Sequence, residues 1–133
     1  MPRFKRTDYG LKFVPVDFAR QILPGSFEHA LCFLIDSGEV DLTGLVGRVR
    51  NDAGGAPAYA PGVLLKIVLL AYSRGIVSSR AIEAACRTNV LFMAVSGDSA
   101  PHFTTVAAFV AELGDEAKAI FTQVLMILVI DKG

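Results

Sequence analysis

The sequence predicts an all-α fold, a compact multi-helix domain preceded by an extended arm. Apolar residues recur at spacings of three and four in several segments, as they do on the buried face of a helix. Residues that begin or end helices, among them Ser26, Gly38 and Pro61, flank those segments. Hydrophobic residues make up 53% of the 133, which suffices for the core of one domain of this size. We therefore divide the chain into an arm, residues 1–25, and a helical domain, residues 26–133.

The arm and the first helix differ in their pattern. The arm has no sustained period and is interrupted by Pro2, Gly10, Pro15 and Pro24. We expect extended backbone there, with room for one short strand at residues 11–14. Ser26 can then cap a helix that ends at Gly38. One face of this helix carries Phe27, Ala30, Leu31, Leu34 and Ile35.

The middle of the chain predicts a second long helix after a loop. Residues 42–49 have helical spacing and suggest a short helix or turn, and residues 51–62 form a loop rich in Gly and Pro. Pro61 fits the first turn of a helix, where its missing N–H would be unpaired in any case. Between 63 and 72 only Lys66 is charged, so this helix is expected to be surrounded by the others and central to the domain.

A third helix follows closely and completes a helix-turn-helix pattern. Ser73, Arg74 and Gly75 end the central helix, and Ser78 or Ser79 can cap the next one after a turn of about four residues. The buried face of this next helix consists of Ile82, Ala85 and Cys86, and the opposite face carries Arg80, Ala84 and Arg87. Two guanidinium groups are therefore predicted to project from one exposed side.

The last third of the sequence predicts two more helices. Residues 90–95 lead into a turn at 96–101, after which Thr104 or Thr105 can cap a helix. That helix buries Val106, Phe109, Val110 and Leu113. Gly114 ends it and Asp115 begins the last helix, with Ala117, Ile120, Phe121, Val124, Leu125 and Leu128 turned inward.

The net charge of the whole chain disfavours nucleic-acid binding, whereas the charge of one segment favours it. The formal net charge is zero and the pI is near 6.7, whereas the pI of a nucleic-acid-binding domain commonly exceeds ~9. Residues 61–97 nevertheless carry four cations and one carboxylate, a net charge of plus three. Residues 98–133 carry two cations and five carboxylates, a net charge of minus three.

Several classes of protein are disfavoured by the residues that remain. Cys32 and Cys86 lie in apolar helical patterns and are expected to be reduced core residues. No apolar segment follows the N-terminal cations, so we expect a cytoplasmic protein, and the apolar run 124–130 is too short to cross a membrane. His29 and His102 have no neighbours with metal-ligand spacing, and no nucleophile–base pair or phosphate-binding loop is evident.

The segment from Tyr59 to Phe109 carries a series of short motifs at fixed spacing. They are Tyr-x-Pro, Leu-Leu-Lys, Tyr-Ser-x-Gly, Ser-Ser-Arg-x-Ile-Glu, Ala-Cys-Arg and Pro-His-Phe-Thr-Thr. The residues concerned are Tyr59, Pro61, Leu64, Leu65, Lys66, Tyr72, Ser73, Gly75, Ser78, Ser79, Arg80, Ile82, Glu83, Ala85, Cys86, Arg87, Pro101, His102, Phe103, Thr104 and Thr105. In these motifs the segment resembles the N-terminal domain of InsH-like insertion-sequence transposases, and similar residues upstream extend the resemblance over nearly the whole chain.

The resemblance implies a role in DNA transposition inside a bacterial cell, in association with the nucleoid. It also implies a ribonuclease-H-like catalytic domain downstream, in which three carboxylates hold divalent metal such as Mg²⁺. We expect the present chain to lack those carboxylates and any cofactor, with Asp131 as a surface residue, and so not to be an enzyme by itself. Ala60, Gly62 and Ala108 depart from the family pattern, which suggests a truncated or decaying copy.

The candidate DNA contacts are the cations and small polar residues of the helix-turn-helix segment and of the turn after it. They are Lys66, Arg74, Ser78, Ser79, Arg80, Arg87, His102, Thr104 and Thr105. Arginine and lysine neutralise phosphate, and hydroxyl groups donate to it. The alternatives are an ordinary solvated helix face, helix caps for the four hydroxyl residues, a structural role for His102, and a local ion pair between Arg80 and Glu83.

Two functions therefore stay open. The first is a DNA-binding module that recognises the terminal inverted repeats of its element. The second is a protein-interaction module that forms a homodimer or packs on the catalytic domain, which the neutral charge and the apolar run 124–130 favour. Neither hypothesis places the protein in a membrane.

Overall fold

The computed structural model describes residues 3–38, 59–115, 119, 121–123 and 126. These residues contain helices and no strand, which confirms the all-α fold. The helices are α1 Phe18–Gln21, α2 Phe27–Asp36, α3 Pro61–Ser73, α4 Ser79–Thr88, α5 Val90–Ser96 and α6 Phe103–Leu113. Residues 119, 121–123 and 126 are also helical.

Helix α3 lies at the centre of the domain. It packs against α2, α4, α5 and α6, and α1 packs against α5. Seven residues of α3 are buried: Leu64, Leu65, Ile67, Val68, Leu69, Leu70 and Ala71. Because they face in all directions around the helix, α3 is enclosed as its apolar sequence predicts.

Helix α2 forms as predicted. The Ser26 hydroxyl oxygen accepts a hydrogen bond from the His29 N–H at 3.1 Å and so caps the helix. Ala30, Leu31, Leu34 and Ile35 are buried, and Phe27 packs against the core at half-burial. The Phe27 ring lies 5.7 Å from the Phe121 ring, so this end of α2 also contacts residue 121.

A hydrogen-bonded turn joins α3 to α4. The Ile76 N–H donates to the Ala71 carbonyl at 2.9 Å and the Gly75 N–H donates to the Tyr72 carbonyl at 3.1 Å. This is the Schellman arrangement, which requires a left-handed residue after the cap. Gly75, with φ of 77°, meets that requirement, and the half-buried Ile76 packs against the core. The direction of α4 relative to α3 is therefore fixed by the backbone itself.

Four details differ from the sequence predictions. Residues 3–17 are exposed without regular structure, so residues 11–14 form no strand. The extended backbone predicted for 1–25 is interrupted by α1, which Asp17 caps by accepting from the Ala19 N–H at 3.1 Å. Neither Thr104 nor Thr105 caps α6, because the helix begins earlier and His102 is the cap residue. Helix α5, which the sequence does not predict, begins after Asn89, whose side-chain oxygen accepts from the Leu91 N–H at 2.9 Å.

Some predictions concern residues outside those described. The helix or turn at 42–49, the loop residues 51–58 and most of the final helix belong to this group. Within the described part of the chain, no helix is both long and apolar enough to cross a membrane. Cys32 and Cys86 are free thiols, as predicted.

Candidate nucleic-acid interface

Helix α4 has one buried and one exposed face. Ser78 rather than Ser79 caps it, because the Ser78 hydroxyl oxygen accepts from the Ala81 N–H at 3.3 Å. Ile82 and Cys86 are buried, whereas Arg80 and Arg87 are exposed. The sequence prediction of two arginines on the outer side of this helix is confirmed.

Arg80 is held in place by the neighbouring helix. Its guanidinium carbon lies 3.9 Å from the centroid of the Phe103 ring, at the first turn of α6. A guanidinium group stacked on an aromatic face is attracted by the ring quadrupole, and its edges stay open to hydrogen-bond acceptors. The ring therefore restricts Arg80 without consuming its donors.

Glu83 also contacts α6, and not Arg80. Its carboxylate accepts a hydrogen bond from the Phe103 N–H at 2.8 Å. Among the described residues no ion pair joins Arg80 to Glu83, so the predicted local pair is wrong. The first N–H of α6 has no acceptor within its own helix, and negative charge is favourable at a helix N-terminus, so the Glu83 carboxylate binds there instead of to Arg80.

His102 completes the start of α6. Its Nδ1 accepts from the Thr104 N–H at 3.3 Å and lies 2.8 Å from the Thr104 hydroxyl oxygen. Its ring lies 4.4 Å from that of Phe103, and its carbonyl accepts from the N–H groups of Thr105 and Val106. The first four N–H groups of α6 are thus all paired.

The start of α4 is different. The N–H groups of Ala81 and Ile82 are bonded to Ser78. No described atom accepts from the N–H of Ser79 or of Arg80. Unpaired N–H groups at a helix N-terminus favour an anion, because the helix dipole places partial positive charge there. An anion at this position would also meet the Arg80 side chain, which belongs to the same turn.

The other candidate contacts lie in less favourable surroundings. Lys66 is 12% exposed at its side chain and its ammonium group lies 2.6 Å from Asp36, so it ties α3 to α2. Arg74 is exposed at the turn that precedes α4, and none of the described residues pairs with its guanidinium group. Ser79 and Thr105 are half-buried, whereas Thr104 is exposed.

Sequence reasoning missed two residues of this arrangement, Phe103 and Glu83. Both belong to the motifs that carry the family resemblance, Ser-Ser-Arg-x-Ile-Glu and Pro-His-Phe-Thr-Thr. Their contact across twenty residues of sequence has no periodic signal that a single sequence reveals. The two motifs therefore meet in space: Glu83 pairs the first N–H of α6, and the Phe103 ring stacks on the Arg80 guanidinium in the first turn of α4.

The buried side of α4 carries a thiol, Cys86, whose protonation depends on its surroundings. Burial in apolar surroundings, together with the nearby Glu83 charge, raises the pKa of the Cys86 thiol to about 11. Desolvation also raises the pKa of Cys32. Both thiols stay protonated near neutral pH, and within the described ranges no three His, Cys, Asp or Glu side chains gather in a way that would hold a metal ion.

Comparison with known proteins gives one match. A family model described as Transposase domain (DUF772) matches residues 16–112, which is most of the chain. No curated protein and no solved structure matches the chain.

Proposed function

The chain belongs to the transposase-domain family whose model covers residues 16–112, and we propose that it is the DNA-binding N-terminal domain of an InsH-like insertion-sequence transposase. In this proposal it recognises the terminal inverted repeats of its element during DNA transposition. Family membership supports the role in transposition. The geometry of α4 supports the contact with DNA.

One observation carries the proposal: the exposed face of α4 offers cationic side chains, and its first turn offers unpaired N–H groups. Arg80 and Arg87 are seven residues apart, which is about two helical turns or ~10 Å along one face. Arg80 is already stacked on Phe103. Less side-chain entropy is lost when such a preorganised guanidinium binds phosphate or a base edge.

We assign α3 and α4 the roles of the two helices of a helix-turn-helix unit. In such units the second helix lies in the major groove, with its N-terminal residues on base edges and backbone contacts around it. Arg80 and the N–H groups of Ser79 and Arg80 then meet the DNA at the start of α4. Arg87 meets it two turns later, and Arg74, His102 and Thr104 contact the flanking backbone.

The proposed step is the binding of DNA, not the cutting or joining of its strands. The family resemblance implies divalent metal held by three carboxylates in a ribonuclease-H-like domain. The side chains described for the present chain do not fit such a site. The proposed contribution of the helical domain is to bind and orient the ends of the element.

The experiment is a titration of the protein on a duplex that carries the terminal inverted repeat, with a scrambled duplex of equal length for comparison. We expect tighter binding to the repeat. Arg87→Ala should weaken that binding about five- to tenfold, because one phosphate or base contact is lost.

The matched control is Arg20→Ala. Arg20 is an exposed arginine in α1 that pairs locally with Asp17 at 3.5 Å. Its replacement by alanine removes one positive charge, as Arg87→Ala does. It should leave binding within about twofold of the wild type. Failure of the wild-type protein to bind either duplex at low salt would contradict the proposal.

A second candidate, a protein-interaction module, is favoured by apolar surface outside α4. Phe33 on α2 is 55% exposed and Met126 is 57% exposed, and side chains of this size are commonly covered in assemblies. This function predicts a homodimer in solution. Sedimentation that finds only monomer at all concentrations would count against it.

A further inference from the structure

Residues 3–16 are the part of the predicted arm 1–25 that precedes α1, and from here on only they are called the arm. They differ from the rest of the chain in both charge and exposure. The arm carries the cations Arg3, Lys5, Arg6 and Lys12 and one carboxylate, Asp8, a net charge of plus three in fourteen residues. The whole chain is neutral. Positive charge is therefore concentrated in two places, the arm and the segment that contains α3 and α4.

The arm also exposes large apolar side chains. Phe4 and Tyr9 are 91% and 93% exposed, and Leu11 and Phe13 are each 87% exposed. Four such side chains within ten residues cost free energy when they stay in water, and a monomer gains nothing from them. Their alternation with cations is typical of segments that bind nucleic acid, where rings contact bases or sugars and cations contact phosphates.

Nothing in the described part of the chain holds the arm against the helices. The one hydrogen bond that it makes to a described residue is local, from the Gly10 N–H to the Asp8 carboxylate at 2.8 Å. No described backbone hydrogen bond reaches it from a helix. The arm is thus available to a partner, and its fourteen residues extend up to ~45 Å when straight.

The root of the arm lies near the helix that follows α4. Helix α1, which follows the arm, packs against α5. Helix α5 begins at Val90, directly after the Asn89 that ends α4. One turn of duplex DNA is ~34 Å long, so an arm that starts there can reach past the groove occupied by α4.

We propose that the arm is a second DNA-contacting element, which lies on the duplex next to the site occupied by α4. This inference rests on the proposed DNA-binding function. Arg3, Lys5, Arg6 and Lys12 neutralise phosphates, and Phe4, Tyr9 and Phe13 lie against sugars and base edges. Duplex DNA fits this segment better than a second copy of the chain does, because DNA carries one negative charge per ~1.7 Å, whereas the acidic segment 98–133 of a second copy has a net charge of only minus three.

The test is the salt dependence of binding to the terminal-repeat duplex, measured by fluorescence anisotropy. Wild type is compared with an arm variant in which Arg3, Lys5, Arg6 and Lys12 are all replaced by Ala. Each phosphate contact contributes about 0.9 to the slope of log affinity against log salt concentration. We expect the slope to fall by about 3.6, for four lost phosphate contacts, and the affinity at ~0.1 M salt to fall tenfold or more.

A second variant separates DNA from a protein partner. Phe4→Ala, Tyr9→Ala and Phe13→Ala together should weaken DNA binding with the salt slope unchanged, because the rings make no ionic contact. Neither variant should alter the midpoint of thermal unfolding, since residues 3–16 are exposed in the part of the chain that the structure describes.

The outcomes distinguish this inference from the proposed function. Wild type that binds with a salt slope equal to that of the arm variant would overturn the arm proposal and leave the role of α4 intact. Absence of wild-type binding would overturn both. Ring substitutions that dissociate a dimer in sedimentation while DNA affinity stays unchanged would assign the arm to a second copy of the chain and overturn the proposal.

Discussion

Helices α3 and α4 follow one another in the chain, yet they face opposite environments. Seven of the thirteen residues of α3 are buried, and its one charge, Lys66, is paired with Asp36. Only two of the ten residues of α4 are buried, Ile82 and Cys86. Helix α3 therefore determines whether the domain folds, whereas the outer face of α4 is free to contact a partner.

The largest effect is expected in α3. Leu69 is fully buried, so Leu69→Ala should lower the free energy of unfolding by about 3 kcal/mol through lost burial and the cavity left behind. Arg87→Ala on the exposed face of α4 should change it by no more than about 0.5 kcal/mol. Urea unfolding followed by circular dichroism measures both.

Equal losses of unfolding free energy in Leu69→Ala and Arg87→Ala would contradict this difference between α3 and α4. They would mean that the arginine face of α4 contributes to folding. A loss below about 1 kcal/mol for Leu69→Ala would mean that α3 is not the centre of the core.

The next effect tests whether the inner side of α4 belongs to the same core. The pKa of Cys86 is about 11 in the folded protein against an ordinary value of 9.0. The raised pKa stabilises the fold fully below pH 9. As pH rises from 9 to 11 the unfolded chain loses the thiol proton first, so this stabilisation is lost.

The measurement is the free energy of unfolding of wild type and of Cys86→Ala from pH 8 to pH 11. The difference between the two should shrink by about 2 kcal/mol over that range. Because all other titrating groups are common to both proteins, a constant difference would show that Cys86 is accessible to water.

A smaller and symmetrical effect concerns the two helix starts. Ser78 caps α4, whereas Ala60, with the extended backbone of a cap residue, makes no side-chain cap for α3. Ala60→Asp should therefore raise the unfolding free energy by about 1 kcal/mol, and Ser78→Ala should lower it by a similar amount. Thermal unfolding of the two variants and of the double variant measures these effects, which should nearly cancel in the latter.

Much of the fold was predictable because it depends on local pattern. The cap Ser26, the first-turn Pro61, the left-handed Gly75 and the apolar periods of α2 to α4 each act within a few residues. Helix α5 was less visible, since seven residues span only two turns and a period has little room to appear. The start of α6 was misplaced because His102 is a rare cap residue whose ring nitrogen substitutes for a hydroxyl.

The candidate site was predictable only in part. The exposed arginines of α4 follow from its amphipathic pattern, and the structure bears this out. Their partners do not follow, because Phe103 approaches Arg80 and Glu83 only when α6 folds back on α4. A single sequence carries no signal for such a pairing, although the two motifs concerned were evident as motifs.

The most direct test of the account is the salt slope of binding to the terminal-repeat duplex for the double variant Arg80→Ala with Arg87→Ala, measured beside its unfolding free energy. The account predicts a slope smaller than that of wild type by about 1.8, which corresponds to two lost phosphate contacts. It also predicts an unfolding free energy within about 1 kcal/mol of wild type. An unchanged slope in a folded double variant would contradict the claim that the outer face of α4 binds DNA.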